Sequence, residues 1–360
     1  MTKPLISIVI PSYNCAPYLQ RCLDSIFAQV CAELNFEVIC VDDASSDDSL
    51  AVLQAYACQQ PIRIIALEKN AGPAHARNAG SLVAKGQYLW FFDSDDYLLP
   101  QAWQQLLTLI RQYPGQDLYT FGLETTQGSK RKVARKRPFR LSGKMGQLQG
   151  SAAILTELFA AMRFFPQTRI LKREIWLQHP FPVGQWFEDI SAVASATAQC
   201  QSCAWLATPL WHYYMRPDST TGQMSPKACS DLFWCLRDFR ERFLNSELRH
   251  NKELKFHLSS FLLKHSLDAI CTLLTKEPIQ AQNQQQAFDL IAQLPNILIA
   301  PMAQTQKQRL LRLRYKNWRS DALMVNYLQQ HTQPKLDQDG TALYLLACRR
   351  QKMRPIKNNL

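Results

Sequence analysis

Two carboxylates separated by one residue, Asp93 and Asp95, follow the apolar stretch Tyr88-Leu89-Trp90-Phe91-Phe92. Side chains alternate along an extended segment, so both face one side, with Ser94 between them. Hard oxygen donors of this kind suit Mg²⁺ or Mn²⁺, which keep coordination positions for phosphate oxygens. Asp-x-Asp is also common in capping turns, so its place after a buried strand carries the argument. A second acidic pair, Glu188-Asp189, lies in the segment Trp186-Phe187-Glu188-Asp189-Ile190. Neighbouring residues point in different directions, so only one of the two can act as a general base on an attacking hydroxyl. A plain helix start would also favour both acids through its dipole. The third segment, Lys69 to Asn78, enters a helix with Arg77 near its beginning, where a guanidinium can reach a nucleotide lying over a sheet edge.

The elements that must position these residues alternate. Residues 5–10 form a β-branched run, and 36–41, 62–67 and 87–92 are three further apolar strands. Helical patterns fall between them: 17–29, a segment carrying Leu50, Leu53 and Ala57 with Ser45 or Ser46 as cap, and 73–85 closed by Gly86. Such alternation predicts an α/β fold with a mostly parallel sheet and crossover helices. Ligands of such sheets bind outside the carboxyl ends of the strands. Those ends carry Pro11-Ser12-Tyr13-Asn14, Asp42-Asp43 and Asp93-Ser94-Asp95-Asp96, so polar and acidic residues converge on one edge.

Residues 122–150 break the pattern with 5 of the 12 glycines, and residues 130–140 hold seven Lys and Arg with no acid between them. This stretch is expected to be a loop or hairpin insert. Helical patterning returns at 151–163 and 187–200, and from 226 onward at 230–244, 253–275, 284–294, 305–318 and 341–352. Two domains are expected, 1–225 and a basic helical 226–360.

The formal charge of +12 is uneven: residues 1–225 hold 20 Lys+Arg against 18 Asp+Glu, and 226–360 hold 21 against 11. Basic residues alternate with leucines through 307–319 and recur in 349–357, a composition suited to an anionic membrane surface or to a solvated helical cap. A nucleic-acid partner is disfavoured, because the acidic edge would face phosphates with like charge. No apolar run reaches the roughly 20 residues of a membrane span, and the first residues lack a cleavage pattern, which predicts a cytoplasmic protein, peripheral at most on the membrane. Eleven cysteines, an odd count without paired spacing, predict reduced thiols, and the lone Cys-x-x-Cys at Cys200 and Cys203 is expected to be buried rather than metal-binding. A nucleotidyltransferase with a similar acidic metal site is the rival enzyme, but the N-terminal region has no Gly-rich phosphate loop and that reading leaves Glu188-Asp189 unexplained.

The ordered series SIVIPSYN, VDDASSDD, NAGPAHARN, FFDSDD-YLLP and LKRE…FPVGQWFED, across roughly residues 4–220, resembles the large family-2 glycosyltransferases of bacteria. The resemblance implies a GT-A fold, a nucleotide-diphosphate sugar donor (UDP-linked by expectation), inversion at the anomeric centre, and Mn²⁺ or Mg²⁺. By resemblance, Tyr13 lies against the nucleobase with Pro11 and Ser12 shaping its pocket. Asp42 or Asp43 hydrogen-bonds the base, and Arg77 lies close to it. Asp93, beside Ser94, approaches the ribose, and Asp93 and Asp95 approach the metal. Asp189 is the base, with Glu188 beside it. The segment Trp211 to Thr221 resembles the family's closing loop, in which Arg216 meets the diphosphate and His212, a loose match, reaches the metal. Ala44-Ser45 departs from the family's Gly-Ser. A glycan or lipid-linked saccharide acceptor, in lipooligosaccharide, capsule or O-antigen assembly, is the implied setting.

Overall fold

The computed structural model describes residues 3–29, 33–127, 132–214 and 225–275, together with 286, 289, 290 and 293. Arg216, Lys130, Arg131, the basic runs 307–319 and 349–357, and the helices expected at 305–318 and 341–352 lie outside the described residues, as does most of 284–294.

The first half follows the expected alternation. Strand β1 (Ile6–Ser12) leads into α1 (Ala16–Phe27), β2 (Phe36–Asp42), α2 (Ser49–Ala57), β3 (Ile62–Ala66), α3 (Pro73–Val83) and β4 (Tyr88–Phe91). Every residue of β1 and β4 is buried, as continuous apolar runs require when helices cover both faces. β3, β2, β1 and β4 pair in parallel, with Ile10 beside Cys40 and Val9 beside Phe91. Gly80 sets how closely α3 lies on this sheet: a Cβ there would stand 2.4 Å from Val9 Cγ1. The start of α2 differs from expectation. Its N-cap is Asp48, while Ser45 donates its backbone N–H to Asp42 at 3.1 Å.

Beyond β4 the sheet becomes mixed. The next elements are β5 (Tyr97–Leu98), α4 (Ala102–Gln112), β6 (Leu118–Gln127), β7 (Lys132–Lys136), β8 (Met145–Gln149) and α5 (Ser151–Ala161). They are followed by β9 (Arg169–Lys172), α6 (Arg173–Gln178), α7 (Glu188–Ala198) and β10 (Ser202–Tyr213). The strand order is β3-β2-β1-β4-β9-β6-β10-β5, with β7 on β6 and β8 on β10. The stretch expected to be an insert is therefore part of the sheet: β6 and β7 form an antiparallel hairpin, and β6 also pairs with β9 and β10. Gly122 lets the β6 backbone pass Ala207, whose carbonyl oxygen would be 2.6 Å from a Cβ. Trp90 anchors the core between Trp103 and Phe121, edge-on at 5.6 and 5.4 Å, and its Nε1 donates to the carbonyl of Gln167 at 2.7 Å.

Residues 1–184 and 188–219 make up one compact unit, and 185–187 with 220 onward make up a second. That division falls just before the boundary expected at 225. In the second unit, α8 (Pro226–Leu244) is capped by Ser225 Oγ, which accepts from Ala228 N at 3.1 Å, and α9 (Lys252–Thr275) follows. No helix among the described residues is long and apolar enough to cross a membrane. The Cys200 and Cys203 thiols are buried, and burial pushes both well up, which suits the inert role expected of them.

Candidate active site

The loops after β1 and β2 are stitched to each other. Asn14, at φ 47°, accepts from Ser46 N at 2.8 Å. Cys15 N donates to Ser49 Oγ at 2.8 Å, and Ala16 N donates to Asp47 Oδ2 at 3.1 Å. Within this rim, Pro11 pairs with Val41 inside the sheet, Ser12 is buried against Cys15 Sγ at 3.0 Å, and Tyr13 stands 47% exposed. An aromatic ring open to solvent at the end of a buried strand is a stacking platform without a partner.

The two acids at the end of β2 do different work. Asp43 accepts from Ala71 N at 3.0 Å and Gly72 N at 2.7 Å, so both its oxygens hold the loop that opens α3. Asp42 is equally buried, but its Oδ1 has no hydrogen-bond partner among the described residues. A buried acceptor left open is costly unless a ligand fills it, which singles out Asp42 of the pair left open by the sequence.

Helix α3 aims Arg77 at two carboxylates. Its Nη1 donates to Glu188 Oε1 at 2.6 Å and its Nη2 to Asp93 Oδ1 at 3.0 Å, with the side chain 7% exposed. The guanidinium also lies over the Phe181 ring at 5.2 Å. One turn position on, Asn78 exchanges two hydrogen bonds with the Phe181 backbone, at 2.8 and 2.9 Å. Arg77 thus joins the two acidic motifs to each other. Its ion pairs hold it protonated, against the pull of burial.

Asp189, partly accessible at the head of α7, is pushed up to about 7. Burial around its carboxylate is the main cause, the Glu188 charge adds to it, and Arg77 opposes both. Glu188 is the member of the pair tied to Arg77, so the two acids have separate roles.

At the end of β4, Asp93 Oδ2 accepts from Gln167 Nε2, and Ser94 is buried beside it. Arg21 donates to the backbone carbonyl of Asp95 at 2.6 Å, with its guanidinium over the rings of Tyr214 at 4.3 Å and Tyr97 at 4.9 Å. Asp96 is fully buried, accepts from Tyr214 N at 2.8 Å, and is raised well above the usual carboxylate range by burial, then by the charges of Asp93 and Asp95. Asp93, Asp95 and Asp96 crowd negative charge at the end of β4, and Asp93 is engaged on both oxygens, by Arg77 and by Gln167. Among the described residues no three His, Cys, Asp or Glu side chains gather as a complete cage. Mg²⁺-type sites commonly use one or two carboxylates plus substrate phosphates.

His212 does not join them. Its Nε2 faces Thr126 Oγ1 at 3.2 Å, its Nδ1 faces Glu124 Oε1 at 3.4 Å, and its ring stacks on Tyr97 at 4.5 Å. Burial lowers its basicity. Packing explains this residue, and the expected reach to a metal finds no support in its placement. Sequence motifs gave no sign of Gln167 or Arg21, because their partners come from distant segments and neither belongs to a recognisable spacing.

Residues 7–170 match the family model described as glycosyl transferase family 2. Those residues, a little under half of the chain, are similar to that family. A 99-residue stretch, 28% of this chain, is 46% identical to a chondroitin synthase of Pasteurella multocida but covers only 10% of that protein. A 100-residue stretch is 41% identical to a poly(ribitol-phosphate) beta-glucosyltransferase of Bacillus spizizenii, over 27% of this chain and 16% of the relative. An uncharacterized glycosyltransferase of Mycoplasma pneumoniae is 29% identical over 65% of this chain and 75% of its own length. Among solved structures, S. aureus TarS 1–349 in complex with UDP-GlcNAc superposes with a TM-score of 0.70 at 18% identity, covering 98% of this chain and 93% of that one. The shared fold is GT-A.

Proposed function

We propose that this protein transfers a sugar from a nucleoside diphosphate donor, UDP-linked, to a hydroxyl of a glycan acceptor, with inversion at the anomeric carbon. The observation that carries the reading is Asp189, a carboxylate held near neutrality beside a Glu188–Arg77–Asp93 ion network. A lone base of that strength suits direct displacement. The acceptor oxygen attacks the anomeric carbon from the face opposite the diphosphate, Asp189 takes its proton, and the bond between that carbon and the diphosphate oxygen breaks.

Tyr13 stacks on the base and Asp42 Oδ1 accepts from it, while Asp43 keeps the Arg77 loop in place. Pro11, Ser12 and Ser94 shape the pocket, and Arg216 meets the diphosphate. Mg²⁺ or Mn²⁺ at Asp95, with Asp93 beside it, supplies charge neutralisation for the leaving diphosphate. Arg77 holds Glu188 and Asp93 in fixed relation, so that the donor and the base meet at one spacing. The uridine choice is supported by the UDP-GlcNAc complex of the TarS neighbour, and the polymeric acceptor by the names of the Pasteurella and Bacillus relatives. The charge of residues 226–360 supports an anionic membrane surface as the place of work, where a lipid-linked acceptor is displayed.

The test is thermal stabilisation and diphosphate release across a panel of UDP-, GDP-, dTDP- and CMP-sugars, with and without Mn²⁺ or Mg²⁺. A UDP-sugar that stabilises the protein and is slowly hydrolysed with metal present is the expected result. Turnover of nucleoside triphosphates with no response to any nucleotide sugar would favour the nucleotidyltransferase instead.

A further inference from the structure

The structure separates the basic residues Arg135, Lys136 and Arg137 by their partners. Side chains alternate along β7, so Arg135 and Lys136, its last two residues, take opposite sides, and Arg137 follows the strand. Arg135 Nε pairs with Glu124 Oε2 at 3.0 Å, while Arg137 donates to the carbonyl of Gly143 and lies over the Trp205 ring at 5.9 Å. Lys136 has no such partner among the described residues. It interacts instead with Arg163, just past the end of α5, and Arg163 with Arg140. The nearby acid Glu157 accepts the Arg140 backbone N–H at 3.1 Å and forms no ion pair with these three side chains among the described residues. The Nε–H of Arg163 is buried with no acceptor among the described residues, the kind of orphan donor that folded proteins rarely leave. Burial lowers both Lys136 and Arg163, and the neighbouring cation lowers each further. The C-terminal end of α5 suits one cation, but not three that repel one another.

The loop that carries Arg163 is fixed. Buried Arg169 donates to the carbonyls of Arg163 and Phe165, the latter at 2.6 Å, and Phe164 packs on Phe159 at 5.4 Å. Four residues beyond Arg163, Gln167 holds Asp93, and four residues span at most about 14 Å. The backbone of Arg163 therefore stands within about 14 Å of that of Gln167, the residue that holds Asp93.

We propose that Lys136, Arg140 and Arg163 form an acceptor subsite that holds an anionic group of the glycan, a phosphodiester or a carboxylate, while its hydroxyl reaches Asp189. The inference rests on the transferase reading of that edge, and it assigns the acceptor a charge. The probe is a fluorescent glycerol phosphate hexamer, with an uncharged dextran hexamer as control, titrated into the full chain without donor at about 0.15 M salt. The triple variant Lys136→Gln, Arg140→Gln, Arg163→Gln should bind the phosphodiester oligomer roughly tenfold more weakly. Its melting temperature checks that it folds. In the unaltered protein the Arg163 side-chain Nε–H resonance should move as the oligomer is added and stay still with dextran. Unchanged affinity in the variant, a still Arg163 resonance, or a loss seen only on phosphatidylglycerol vesicles would overturn the subsite. The assay needs no nucleotide sugar, so its failure leaves the donor reading intact, and failure of the donor panel leaves this result readable.

Discussion

A carboxylate that takes a proton from a hydroxyl at neutral pH works best when its own affinity for that proton is near neutral, and Asp189 stands at about 7. Only the ionised form accepts the proton, so kcat/KM should rise with pH through about 7 and level off above it. Asp189→Asn removes basicity at constant shape and should lower kcat by about 10²–10⁴-fold, with donor affinity unchanged in calorimetry. The same raised value bears on stability. Folded Asp189 keeps its proton from 3.8, its value in the open chain, up to about 7. Stability from the neutral form is therefore present below that window and lost as pH rises through it. Asp189→Asn should then melt higher than the parent protein at pH 8 and equally at pH 4, which a thermal scan at both values checks. Arg77 is the opposite case. Arg77→Met leaves Glu188 and Asp93 facing each other without their shared cation, and should cost about 3 kcal/mol in urea unfolding as well as nearly all turnover.

Two backbone positions decide how the elements present those residues. Ala44 sits at φ 57° just after the acidic end of β2, a conformation that a Cβ makes unfavourable. Ala44→Gly should therefore stabilise the fold by up to about 1 kcal/mol, read as a higher urea midpoint at unchanged slope. Gly80→Ala should do the reverse, because the new methyl meets Val9 and pushes α3 off β1; a loss of about 1–3 kcal/mol is expected, and turnover should fall with it because Arg77 rides on that helix. Most of the β1–β4 half was legible in the sequence, since continuous β-branched runs ending in acids admit few other readings. The strands of residues 118–150 were less so, although the helical patterns at 151–163, 187–200, 230–244 and 253–275 appear as α5, α7, α8 and α9. Glycines and a dense basic run suggested an insert, whereas pairing with β9 and β10, hundreds of atoms away in sequence, makes β6 an interior strand. The site divided in the same way. The motifs singled out Asp42 or Asp43, Asp93 and Asp189 as candidates, but the long-range contacts that separate Asp42 from Asp43, and that give Arg77 to Glu188 and Asp93, have no local pattern.

At the scale of the whole molecule, two bodies of positive charge have different expected partners. The Lys136–Arg140–Arg163 cluster belongs to the first unit, with Arg163 on the loop that leads to Gln167, whereas 21 of the 41 Lys and Arg fall after residue 225. The basic run of residues 307–319 mixes those charges with Leu310, Leu311, Leu313 and Trp318. That composition binds anionic membrane surfaces at about 1 kcal/mol per basic residue. Replacing Arg309, Arg312, Arg314 and Lys316 with Gln should therefore weaken co-sedimentation with phosphatidylglycerol vesicles by as much as two to three orders of magnitude. High salt should mimic the substitution, because the attraction is screened within about 8–10 Å. Neutral vesicles should not retain either protein. Donor hydrolysis in solution should survive, since Asp95, Arg77 and Asp189 all precede residue 225. The two variants should also fail to substitute for one another: the four-residue change should leave binding of the glycerol phosphate hexamer near the parent value, and the Lys136, Arg140, Arg163 change should leave vesicle binding near it. Equal retention on charged and neutral vesicles, or retention that ignores salt, would remove the membrane from this account and leave the C-terminal charge to a soluble partner.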